Sequence, residues 1–318
     1  MKVVLPGGSG HLGTLLSNAF LAAGHEVVVL TRKECCERHG RTWDGRRIGD
    51  ELEGADAVIN LAGRSVDCRY TPPNREEILR SRVDSTRAVG EAIARAARPP
   101  RVWLQASTAT IYSHRYDAAN DERYGIIGGS EPDAPPEWRF SIEVAQAWER
   151  AVDEAETPRT RKVKMRTAMV MSARRGGPFH ALLRHVRLGF GRLGDGRQWM
   201  SWIHERDFVR AVEWLLAHDE AEGVVNLASP RPLPNDEFLD ILRKAWRARL
   251  HIPVTRTMLG LGAWAMRTEP ELVLKSRRVV PQRLLDSGFT FDFPRWQDAA
   301  RDLCAAWRSG AASRGATW

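Results

Sequence analysis

No stretch of this sequence reaches the roughly 18 consecutive apolar residues that a membrane span requires. The apolar start at Met1 runs into glycines instead of a signal-peptide cleavage site. A soluble, cytoplasmic protein is the expectation. Cysteine is scarce as well: Cys35, Cys36, Cys68 and Cys304 show no C-x-x-C spacing, and adjacent Cys35 and Cys36 would form a strained bridge. Reduced thiols are expected, and no metal site. Also missing is a basic run interleaved with aromatics. The formal net charge of +8 invites a nucleic-acid reading, but 48 basic residues are spread along the chain among 40 acidic ones. The expected partner is an anionic small molecule and at most a second copy of the chain in a homodimer, with neither nucleic acid nor membrane.

What is present is ample core material. A length of 318 residues, 43% of them hydrophobic and 28% charged, fits one large α/β unit with a smaller lobe. Lys2 to Leu5 reads as a strand, and His11 to Ala23 as a helix stopped by Gly24. Glu26 to Leu30, Asp56 to Leu61 and Arg101 to Ala106 read as buried strands, with a helix from about Arg75 to Ala97. A second series follows: helix Phe140 to Glu156, strand Lys164 to Met171, helix Phe179 to Leu188 and helix Glu205 to Ala217. It closes with strand Gly223 to Leu227 and helix Asn235 to Trp246. Strands alternating with helices predict a Rossmann-type, doubly wound parallel sheet of the α/β class. Beyond His251, Pro253, Pro270, Pro281 and Pro294 punctuate short helices. The expected division is a nucleotide-binding domain over 1–250, with segments near 172–203 joining a small mixed α/β lobe over 251–308. A disordered tail is expected from Ser309 to Trp318.

Gly7, Gly10 and Gly13 form G-x-x-G-x-x-G between a strand and a helix, with His11 and Leu12 inside the motif. Such glycines permit a tight turn and a close backbone approach to a pyrophosphate, whose charge the helix N-terminus attracts. An acid about 20 residues further on would accept bonds from a ribose 2′-hydroxyl. Here Thr31, Arg32 and Lys33 stand instead, two cations where a 2′-phosphate would lie, so NADP(H) is favoured over NAD.

The runs PGGSGHLG, VINLAG, EILRSRVDSTRAVGEAI, MSWIHERDFVRAV, VNLASPRPLPNDEF and RVVPQRLLDSGFTF, spread over residues 1–305, resemble a family of extended short-chain dehydrogenase/reductases. It is the epimerase family that carries its own C-terminal domain. The resemblance implies that Asn60, Leu61, Ala62 and Gly63 line the cofactor and that Asp44 lies near the adenine. It places Thr108 at the catalytic serine/threonine position, and His204 and Asp207 in the I-H-x-x-D segment. The chain departs from working members at the Tyr-x-x-x-Lys pair, where Phe140 and Val144 stand. Phenylalanine cannot transfer a proton. Tyr112 and Glu143 are the candidate substitutes. Arg69, Arg75 and Arg82 are expected near the substrate cleft at the carboxyl ends of the strands, with Trp202 and His204 as further substrate-side candidates. The expected activity is that of an NADP(H)-dependent oxidoreductase or epimerase-like enzyme with a degenerate triad, acting on a small anionic or sugar-derived metabolite. The alternative is a non-catalytic NADP(H)-binding regulatory or scaffold protein.

Overall fold

Successive side chains of a strand point to opposite faces, and in β1 (Lys2–Pro6) Val3 and Leu5 enter one apolar core while Val4 enters another. A strand buried on both faces needs helices on both. The computed structural model, which describes residues 1–32, 40–45, 48–132, 134–255, 269 and 271–310, provides them. Seven parallel strands form one sheet in the order β11 (Gly223–Leu227), β6 (Arg161–Thr167), β5 (Val102–Thr108), β4 (Ala57–Asn60), β1, β2 (Glu26–Thr31) and β3 (Gly40–Thr42). The helices α1 (His11–Ala22) and α5 (Glu205–Ala217) bring Leu16, Phe20, Phe208 and Val212 to the Val3 face. The helices α2 (Pro72–Arg95) and α3 (Arg139–Asp153) bring Val89, Ile93 and Val152 to the Val4 face.

The chain winds outward from β1 through β2 to β3 and then crosses back to β4 on the other side of β1. The winding reverses there, so a crevice opens at the carboxyl ends of β1 and β4. That switch point is where open α/β sheets bind ligands. The first turn of α2 carries Pro72 and Pro73, whose fixed φ suits a helix start, and the helix runs for 24 residues before Ala96 closes it. This long helix forms one wall of the crevice.

The run from Lys164 to Met171 is not one strand. Arg161–Thr167 stays in the main sheet, while β7 (Met169–Met171) turns away and, past the short strands β8 (Phe190–Leu193) and β9 (Trp199–Met200), pairs with β10 (Trp202–His204). Both halves read alike in sequence because period-two burial does not name a partner. Around β7 and β10 a second core gathers Leu183 and Val186 of α4 (Pro178–Arg187), Phe238 and Leu242 of α6 (Asn235–Trp246), and Trp296 and Leu303 of α9 (Trp296–Ser309). Two shorter helices, α7 (Glu271–Leu274) and α8 (Gln282–Asp286), precede α9. The terminal helix is 14 residues long, more than the prolines implied, because its apolar face completes this core. Ser309 closes that helix, and 311–318 lie outside the described residues, as do Cys35, Cys36 and Lys33. Cys68 and Cys304 are free thiols, and burial pushes that of Cys304 up to about 11. No helix among the described residues is long and apolar enough to cross a membrane.

Candidate functional site

The crevice begins at the glycine turn. Gly7 has φ +76°, and a Cβ there would lie 2.6 Å from Ala62 Cα, so only glycine lets the β1 and β4 loops touch. A Cβ on Gly13 would fall 2.3 Å from Gly8 Cα, which fixes α1 against the turn. Gly10, the N-cap of α1, supplies no side-chain cap, leaving first-turn N–H groups available to an anion. These features fit a dinucleotide pyrophosphate.

Behind the turn lies a cavity of about 650 Å³, lined by Gly7, Gly10, Thr31, Arg32, Asp44, Leu61, Ala62 and Gly63 among the residues expected from sequence. Others of that set lie elsewhere. Leu12 packs its side chain against the main core, Gly13 is structural, and Asn60 is fully buried. Asn60 accepts from Ala62 N at 3.1 Å and donates to Gln105 at 3.0 Å, so it shapes the Leu61–Gly63 loop from beneath. His11 turns its ring against Gly177, its Nε2 buried without a partner, and burial followed by the charge of Arg174 lowers its pKa.

Sequence reasoning missed one wall. Glu77, Ser81 and Ser85 line the cavity at four-residue spacing, a single face of α2. Glu77 pairs with Arg32 at 4.0 Å and with Arg64, whose own N–H donates to Ser81 Oγ at 2.9 Å. The spacing was visible in sequence, but its orientation toward the crevice depended on which face the sheet buried. Ser9 is also there, its hydroxyl bonded to Thr31 Oγ1 at 2.9 Å.

At the other end, Thr108 closes β5, half-buried, with its Oγ1 accepting from Thr110 N at 3.1 Å. That lone pair is used, which leaves the hydroxyl proton for another acceptor. Thr110 is gripped in turn from the C-terminal lobe. Lys275 Nζ donates to its carbonyl at 3.0 Å and Arg277 Nε to its hydroxyl at 3.1 Å. Glu271 holds Lys275 at 3.5 Å and accepts from Ser141 of α3. Burial pulls the Lys275 ammonium down to about 8 against the attraction of Glu271. None of these lobe residues was singled out from sequence, since they reach Thr110 across more than 160 positions.

The two substitute acids are corrected by their surroundings. Tyr112 is 1% exposed, its hydroxyl donates to Asn226 Oδ1 at 3.0 Å, and burial raises its pKa. Its proton is committed beneath the sheet. Glu143 lies exposed on the outer side of α3, between buried Ile142 and Val144. Phe140 stands where a tyrosine is expected, with Tyr70 edge-on at 5.1 Å and the Arg75 guanidinium over its ring at 4.8 Å.

Of the residues expected near a substrate, Arg82 lies under Gly63, stacked on Trp148 at 5.0 Å, and half-buried Arg69 offers its carbonyl to Asn74 at 2.7 Å. Trp202 and His204 are instead buried in structural roles. Trp202 is fully buried in the second core, where its indole N–H donates to the Arg231 carbonyl at 3.3 Å, leaving no surface for a ligand. His204 caps α5 by accepting from Arg206 N at 3.1 Å, stacks on Phe293 at 3.9 Å and meets Asp302 at 3.2 Å. Asp207 is equally structural, accepting from Asp292 N and Phe293 N at 2.7 and 2.9 Å.

Burial pulls His204 down to about 4, against the opposing pull of Asp302 and Asp292 and with the help of Arg206. The unfolded chain therefore binds the proton first on acidification. Stability from this group is complete above its ordinary pKa of 6.5 and is lost as pH falls from there toward about 4. Melting temperatures measured from about pH 7 to about pH 5 should fall more steeply for the native chain than for His204→Asn, which keeps a capping oxygen. Equal slopes would show that His204 is not the acid-sensitive group.

The sequence pattern described as the NAD dependent epimerase/dehydratase family matches residues 3–228, and a domain of unknown function, DUF1731, matches residues 257–303. Epimerase family protein SDR39U1 of Homo sapiens is 30% identical over 312 residues, spanning 96% of this chain and 100% of its own length. Epimerase family protein YfhF of Bacillus subtilis is 27% identical, spanning 96% of this chain and 98% of its own. A crystal structure of human SDR39U1 (isoform 2) with NADPH superposes with a TM-score of 0.82 at 28% identity, over 96% of this chain and 99% of that one. The match of the family pattern over most of the chain and the shared sheet lead to one assignment: this chain belongs to the NAD dependent epimerase/dehydratase family.

Proposed function

We propose that the chain is an NADP(H)-dependent oxidoreductase or epimerase-like enzyme acting on a small anionic or sugar-derived metabolite, with a degenerate acid/base pair. The observation that carries the reading is the cavity that joins Arg32, the glycine turn and Gly63, at the switch point of the sheet. The human relative, solved with NADPH, supports the choice of cofactor. Free N–H groups of the α1 first turn would hold the pyrophosphate, Arg32 and Arg64 would take the 2′-phosphate in exchange for Glu77, and Leu61–Gly63 would bound the ribose side. When bound, the nicotinamide supplies or accepts a hydride. Thr108, whose Oγ1 already accepts a bond, would orient a substrate oxygen by donating a hydrogen bond to it.

NADPH should bind at least about tenfold more tightly than NADH, roughly 1.4 kcal/mol, with Arg32→Ala erasing most of the difference. Calorimetry at a single salt concentration measures both, and equal affinities in the native chain would refute the 2′-phosphate reading. A second reading is a non-catalytic NADP(H)-binding regulatory or scaffold protein, favoured by Phe140 and Val144 in place of the proton-transfer pair. Loss of nicotinamide absorbance from bound NADPH on adding a metabolite mixture supports the enzyme, and its persistence supports the scaffold.

A further inference from the structure

Beside Phe140 and its neighbour Tyr70 stand two arginines that, among the described residues, have no ion-pair partner. Arg75, on the first turns of α2, lays its guanidinium over the Phe140 ring at 4.8 Å, and its buried Nε has no partner. Arg82, two turns further along the same helix, stacks on Trp148 and spends its Nη1 on two backbone carbonyls, those of Arg64 and Ile78, each at 3.0 Å. Among the described residues, no carboxylate lies within ion-pair distance of either. Glu269 and Glu271, the carboxylates that act electrostatically on Tyr70, are engaged elsewhere. Glu269 accepts from Tyr70 N at 2.6 Å, and Glu271 is held by Lys275 and Ser141.

A guanidinium taken out of water without a counter-charge is costly, and burial pushes Arg82 down to about 10. Tyr70, edge-on to Phe140, lies within electrostatic reach of Arg82 and of Arg277. Burial and the nearby Glu271 and Glu269 raise its pKa, so at neutral pH its hydroxyl keeps its proton and is a donor. One cation thus lies over the Phe140 ring and a second on Trp148 beside the Gly63 loop, while a neutral donor, edge-on to Phe140, is within electrostatic reach of the second.

We propose that Arg75, Arg82 and Tyr70 form an oxyanion subsite, for a carboxylate or phosphate of the substrate, and that Phe140 is its floor. The assignment rests on the functional reading above and adds to it what the lost tyrosine is for. A hydroxyl at position 140 would compete for the guanidinium's surroundings, whereas a phenyl face offers it an attractive surface without hydrogen-bonding demands. The position that carries the proton in working extended dehydrogenases here seats an arginine. The substrate is thereby anchored by its anion, and Thr108 is left to meet its reacting oxygen.

The test uses the full-length protein saturated with NADPH, with pyruvate and inorganic phosphate as separate probes and sodium chloride at matched ionic strength as the control. At least one probe should raise the melting temperature beyond the control, since a ligand that binds only the folded state stabilises it. Arg75→Ala should weaken that probe about tenfold while leaving NADPH affinity unchanged, and Arg75→Lys should restore part of the loss. A response to pyruvate alone assigns the subsite to a carboxylate, and one to phosphate alone assigns it to a phosphate. If neither probe exceeds the chloride control, or if Arg75→Ala binds the probe as well as the native chain, the subsite is refuted. NADPH binding, followed separately by its fluorescence, distinguishes this failure from failure of the functional reading. Should NADPH not bind, the same probes on the cofactor-free protein still decide the subsite.

Discussion

Arg166→Met should lower the stability of the folded chain by about 3–5 kcal/mol, the range for removing one partner of a buried ion pair. Arg166 on β6 and Glu149 on α3 are 11% and 9% exposed and meet through two bonds of 2.8 and 2.7 Å. Ser107 of β5 donates to the same carboxylate at 2.6 Å, and the guanidinium lies 4.9 Å from the centre of the Tyr112 ring. Burial works against the charge of Arg166, yet the bonds and charge of Glu149 hold its pKa above the ordinary value. Methionine fills similar volume but leaves Glu149 buried with only a serine. The pair pins α3 to the carboxyl ends of β5 and β6, next to Thr108. Urea denaturation of the native chain, Arg166→Met and the double variant Arg166→Met/Glu149→Leu should show the double variant recovering part of the loss, because no charge remains stranded. A single variant within about 1 kcal/mol of the native chain would show that Glu149 escapes to solvent or takes up a proton without cost.

The retention of α3 bears on how much could be read from sequence. The glycine turn, the alternation of strands and helices and the bounds of α5, β11 and α6 were legible because each rests on local pattern. So was one side of the cavity wall, since Gly7, Arg32 and Gly63 sit at the ends of strands whose positions the topology dictates. The errors share one cause. Trp202 and His204 lie in a segment similar to relatives, but their side chains face a second core assembled from α4, α6 and α9, and no local pattern reveals which sheet a three-residue strand joins. Lys275 and Arg277 were passed over for the opposite reason. They look like ordinary surface cations in sequence, and only the folded chain brings them to Thr110. Arg64 and Glu77 were likewise invisible as a pair until α2 was laid along the crevice.

The largest kinetic effect concerns the chemistry that Phe140 and Val144 forgo. General acid/base catalysis contributes typically about 10²- to 10⁴-fold, so UDP-glucose and UDP-galactose should be neither epimerised nor oxidised at more than that fraction of an ordinary rate, while NADP(H) still binds. Among the described residues, the candidate substitutes are not placed to serve. Tyr112 is bonded to Asn226, Glu143 is exposed on the far side of α3, and burial together with Glu271 and Glu269 makes Tyr70 hold its proton more tightly than free tyrosine. Thr108 can orient a carbonyl by donating to it, but a threonine hydroxyl in this setting has no base behind it: Thr110 N–H is a donor, and Lys275 grips the Thr110 carbonyl, not the Thr108 oxygen. Thr108→Ala should therefore weaken any activity found without changing cofactor affinity, a split that a merely structural residue would not produce. The measurement is an overnight incubation with each nucleotide sugar and NADP⁺ or NAD⁺, resolved by chromatography. Turnover on the order of 1 s⁻¹ or faster would mean that a proton donor reaches the reacting oxygen by a route absent from this arrangement of side chains.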